Sequence, residues 1–142
     1  MSIWTHVEAA ARMVPGLALV SPEETAEVAG RFTDAFVVDP ESRWWWTALR
    51  ADVEASSITY GDGDALAFLE AWLPADGQLV LLVTDEEPVP VGAVRGRAGE
   101  LVHLVGECSY FEYVITDDTA SFGILDTHHN VLIRVGRTPD TP

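Results

Sequence analysis

Residues 109–136 read SYFEYVITDDTASFGILDTHHNVLIRVG, and their periodicity decides the fold class. Phe111, Tyr113 and Ile115 form one alternating series, Phe122 and Ile124 a second, and Val131, Ile133 and Val135 a third. A period of two is that of extended chain, in which successive side chains point to opposite sides. DDTA, residues 117–120, has the composition of a tight turn between the first two runs. The expectation is a C-terminal three-stranded antiparallel meander with one buried face.

Upstream, QLVLLVTD (78–85) is a near-continuous apolar run, the pattern of a central strand covered on both sides. VPVGAVR (89–95) predicts a further strand after the acidic turn TDEEP, and a short strand is expected around Ile58. Between these lie helical patterns. Ile3, Val7, Ala10 and Ala11 share one helical face, and Pro15-Gly16 ends it. SPEETAEVAGRF places Ser21 as N-cap, Pro22 at N1 and Glu24 at N3, a capping box, with Glu23 and Glu24 complementing the helix dipole. Ala65, Leu66, Leu69, Trp72 and Leu73 form a continuous face ended by Pro74. Leu101, Leu104 and Val105 predict a last helix, with His103 on its polar side. The whole reads as one α+β domain over residues 1–136, with N-terminal helices packed on a mainly antiparallel sheet of about five strands. The tail RTPDTP, residues 137–142, is expected to be disordered.

Twenty-three acidic residues face eight basic ones, all arginine, in a chain of 142 residues with a formal charge of −15. Such a field repels phosphate backbones and anionic lipid, so neither nucleic acid nor membrane is an expected partner, whereas a basic protein surface is. The single cysteine, Cys108, has no internal disulfide partner and no metal-binding spacing around it, which suits a reducing cytoplasm. Arg12 interrupts the N-terminal apolar stretch, so no signal peptide is expected, and no apolar run has the length of a bilayer span.

Candidate chemistry is sparse. His128 and His129 are adjacent and point apart in extended chain, which is poor spacing for a chelate; Asp126 and His128, two apart, share a side. A structural or contact role is expected for Asp126, His128 and His129, and neither a metal nor another cofactor. Asp62-Gly63-Asp64 opens like a calcium loop, but Leu73 stands where such a loop carries its glutamate. The chain lacks the G-x-S-x-G elbow of a serine hydrolase, and nothing near Cys108 supplies positive charge to activate the thiol. Trp44, Trp45 and Trp46 would cover a wide arc on a helix or face both ways on a strand, so at least one ring is expected to be partly exposed.

Two stretches, RWWWTAL and GECSYFEYVITDDTASFGILDTHHNVLIRVG, are together similar to a family of small bacterial proteins. Those carry a WWW-x-x-L segment, an FEYY-type strand, a WLLCENHH-type strand and a closing HNVLI strand. The motifs fall at Trp44 to Leu49 and Phe111 to Val135; this chain departs at Phe122, where a tryptophan is usual, and at ILDT before the histidine pair. The resemblance implies an α+β fold and an immunity or antitoxin-like role beside a toxin, and it carries no catalytic residues.

The expectation is therefore a non-catalytic, cytoplasmic binding protein that covers a basic toxin domain. Asp85, Glu86, Glu87, Asp117 and Asp118 are its candidate contacts, steering the encounter electrostatically. Two alternatives stand beside it. One is a small hydrolase or metal enzyme using Asp126, His128, His129 and Glu112; the other is a self-associating accessory domain that dimerises through Trp44–Trp46.

Overall fold

The computed structural model describes residues 3–42, 44–59, 64–84, 89–108, 111–127 and 131–136. α2 (Pro22–Phe36) starts at the cap read from the sequence, and α4 (Ala98–Glu107) starts at one that its apolar spacing did not show. Ser21 Oγ accepts a hydrogen bond from Glu24 N at 3.2 Å, opening α2. Glu100 Oε1 accepts from Arg97 N at 2.8 Å, opening α4. α1 (Ile3–Met13) and α3 (Asp64–Trp72) complete the helical set. The strands are β1 (Ala18–Leu19), β2 (Glu54–Thr59), β3 (Leu79–Val83), β4 (Gly92–Gly96), β5 (Tyr113–Thr116), β6 (Phe122–Thr127) and β7 (Val131–Gly136).

All seven strands form one sheet, in the order β1-β4-β3-β5-β6-β7-β2, and every neighbouring pair is antiparallel. The α+β class and the β5-β6-β7 meander match expectation, whereas the count is seven strands and not about five. β1 is the element that periodicity misses: two residues, pairing with Val94 and Arg95, are too short to show a period. β2, polar and mostly exposed, closes the opposite edge against β7.

The meander does not have one buried face; it has two. Tyr113, Ile115, Ile124 and Leu132 pack with α1, α3 and α4 on one side of the sheet. Val114, Leu125 and Val135 pack with α2 and the tryptophan segment on the other. The helices are thus split across the sheet: α2 alone covers the second face, and α1, α3 and α4 cover the first. β3, with all five residues buried, lies between β4 and β5 and reads as continuously apolar because both its faces are covered.

Close approach of α2 to the sheet depends on Gly123. A Cβ there would overlap the ring of Phe32, a side chain with no exposed surface. Burial of a phenylalanine of this kind contributes about 2 kcal/mol, and Phe32 also stacks on Trp45 with centroids 5.7 Å apart. Gly92 admits Trp4 to β4 in the same way on the other face.

Candidate functional site

Asp39 and Pro40 open the tryptophan segment with a turn, in which Asp39 Oδ1 accepts from Glu41 N at 3.1 Å. One 3-10 turn, Trp45–Thr47, follows. Trp44 is extended, and Thr47 Oγ1 donates back to its carbonyl at 2.7 Å. The rings divide accordingly. Trp45 is 4% exposed and donates through Nε1 to Pro40 O at 3.3 Å. Trp44 and Trp46 are half-buried and meet each other, with centroids 5.9 Å apart. The segment is clamped to the end of α2 by Val38 N to Ala48 O at 2.7 Å and Arg50 N to Phe36 O at 2.8 Å.

Trp44 and Trp46 line a crevice of about 10 Å³ with Glu112 and Asp126. The register places Tyr113 opposite Asp126, so Glu112 and Asp126 come to the same end of the sheet, and both are buried. Carboxylates this deep stand only where hydrogen bonds or charges compensate their lost hydration, so the pair is a fixed polar anchor under the tryptophans. Of the expected Asp126, His128 and His129 set, the two histidines lie outside the described residues. Among the described residues, no three His, Cys, Asp or Glu side chains gather as a metal group.

Asp117 and Asp118 occupy the β5–β6 tip, and each has intramolecular work. Asp117 accepts from the backbone N–H groups of Thr119 and Ser121, at 3.2 and 2.9 Å, and from both their hydroxyls. Burial alone would raise its pKa, but the hydrogen bonds from Ser121 and Thr119 outweigh that and hold the carboxyl below its ordinary value. Asp118 is bound by Arg95 Nη1 at 2.8 and 2.9 Å, and Arg95 Nη2 reaches Glu24 at 3.1 Å, which ties the tip to α2. Asp85, Glu86 and Glu87 lie outside the described residues. The strand ends that flank them, Val83 and Gly92, pair with each other, and Val83 pairs with Tyr113 at the opposite end of β5 from Asp117 and Asp118.

An acidic row, of which the sequence reading singled out only Glu23, as a helix-dipole partner, lies on α2. At about 100° per residue, Glu23, Glu27 and Asp34 fall within about 40° of one another. All three are exposed and form no hydrogen bond or ion pair among the described residues. The signal was present as i, i+4 and i+11 spacing on the polar side of an apolar helix. His103 is exposed on α4, as its spacing predicts, 3.7 Å from Glu107. Cys108 is half-buried, and burial, then the Glu107 charge, push its thiol pKa up, away from a reactive thiolate.

No described helix is long and apolar enough to cross a membrane. No protein-family model matches the chain, and neither a curated protein nor a solved structure matches it.

Proposed function

We propose that the protein is a non-catalytic, cytoplasmic immunity protein that neutralises a bacterial toxin domain by binding it directly. The observation that carries this reading is the −15 charge, expressed on the surface as the unpaired row Glu23, Glu27 and Asp34 beside the tethered Asp118. Acid displayed in this way accelerates encounter with a basic surface and disfavours anionic partners. The similarity of the Trp44–Leu49 and Phe111–Val135 segments to immunity-type proteins supports the same reading, with Asp85, Glu86, Glu87, Asp117 and Asp118 as further steering charges.

The test is affinity capture from native lysate at low and moderate salt, followed by co-expression of the retained protein. The expected result is one basic protein, weakened as salt rises, whose expression arrests growth unless this chain is present. A retained protein whose toxicity is indifferent to the chain would sink the reading.

A metal-dependent or hydrolytic reading is favoured by one observation, the burial of Glu112 and Asp126 together beneath Trp44 and Trp46. Elemental analysis with an activity screen decides it: substoichiometric metal and no turnover would exclude it.

A further inference from the structure

Between α1, β1 and α2 runs a half-open groove of about 620 Å³. The small-residue side of α2, Ala26, Ala29, Gly30 and Thr33, lines it, as do Trp4 and Trp45. β1 ends at Leu19 opposite Val94, and Val20 N still donates to Ala93 O at 3.0 Å, so that only the Gly92 end of β4 has no strand beside it on this side among the described residues. Three of the five large apolar side chains exposed among the described residues, Leu19, Val89 and Val91, stand around the opening. Thr25, 6% exposed, lines the groove, and its hydroxyl has no hydrogen-bond partner among the described residues. An apolar cluster of this size beside an unsatisfied polar atom is the anatomy of a contact centre, not of a solvated surface.

The rim identifies the occupant. Successive positions around α2 place Glu23, Glu27 and Asp34 immediately beyond Ala26 and Gly30, along the groove's flank. Glu8 lines the groove from the α1 side. Leu19 also lines a separate hollow of about 310 Å³ with Ala11, Arg12 and Leu17. An apolar centre with an acidic flank matches apolar anchors carried between cationic residues. We propose that this groove seats a segment of a basic protein partner, with aliphatic or aromatic side chains in the hollow and arginine or lysine against Glu23, Glu27 and Asp34. The assignment rests on the binding-protein reading and names the surface that reading requires.

Gly30 makes the test clean, because a Cβ added there meets nothing within 4 Å. A bulky side chain at this position fills the groove without entering the core. The probe is a displayed library of short random peptides selected on the purified full chain. The variants are Gly30→Trp, Glu27→Arg and, as a distant control on the exposed β2 edge, Ser57→Trp. The expected result is enrichment of peptides with apolar anchors between basic residues. Gly30→Trp should weaken them at least tenfold and Glu27→Arg several-fold with a shallower salt dependence, while Ser57→Trp leaves them unchanged and all variants unfold at wild-type temperature or above. Peptides indifferent to Gly30→Trp, or no enrichment of basic peptides, would overturn the proposal. Toxin neutralisation, scored separately, distinguishes the two readings. A Gly30→Trp chain that still neutralises removes the groove and leaves the function standing. A chain that selects groove peptides but neutralises no partner supports the groove and removes the function.

Discussion

At the β5–β6 tip a single carboxylate replaces most of what a turn sequence with glycine would supply. Asp117 gathers the hydroxyls and N–H groups of Thr119 and Ser121, and Ala120 takes a left-handed φ of 54° while its methyl is buried against the α2 side of the core. Charge-assisted bonds of this kind stabilise more than neutral ones, so Asp117→Ala is expected to lose about 2 kcal/mol in urea unfolding at neutral pH. The folded pKa is depressed, so this stability is fully present above the unfolded value of about 3.9 and is lost as pH falls through the lower folded value. The gap between wild type and Asp117→Ala should therefore shrink below about pH 4; a gap that is constant with pH would mean that the ionised carboxylate is not what holds the turn.

At the scale of elements, two glycines give opposite predictions because they face opposite sides of α2. Gly123→Ala drives a Cβ into Phe32 and should cost about 2 kcal/mol by overpacking, with a change in tryptophan fluorescence as Phe32 shifts against Trp45. Gly30→Ala, in the same helix that Phe32 anchors, adds a methyl to open space and should raise stability by up to about 1 kcal/mol. Paired urea melts check both, and equal effects would mean that α2 does not sit on β6 as described. The same packing explains why the meander was half legible. Phe122 and Ile124 advertise one face, but Val114, Leu125 and Val135 are buried as deeply on the other, because α2 and Trp45 cover it. Alternation reports which residues share a side; it does not report whether a distant helix lands on the reverse side.

Across the whole molecule the charge of −15 acts against folding as well as for recognition. Arg95 offsets part of it by joining Glu24 and Asp118, and Arg12 pairs with Glu8, but Glu23, Glu27 and Asp34 of α2 repel one another with no cationic partner among the described residues. Raising ionic strength to about 0.15 M shortens the screening length to about 8 Å, so the melting temperature is expected to rise with sodium chloride. Thermal unfolding across a salt series checks this, and a falling melting temperature would show that the Arg95 pairs outweigh the net repulsion.

The helix start at Ser21, the apolar face of α4, the buried strand at 79–83, the turn at residues 117–120 and the α+β class follow from the sequence by itself. Caps, turns and apolar runs are local, and their physics acts within a few residues of chain. Only the tertiary structure decided that α2 lies opposite the other helices, that a two-residue β1 adds an edge, and that Glu112 and Asp126 line one crevice with the tryptophans. It also set Glu23, read from the sequence as a helix-dipole partner, with Glu27 and Asp34 along the flank of an apolar groove. These depend on residues far apart in sequence meeting across the sheet, and no local pattern encodes which surface another element will cover.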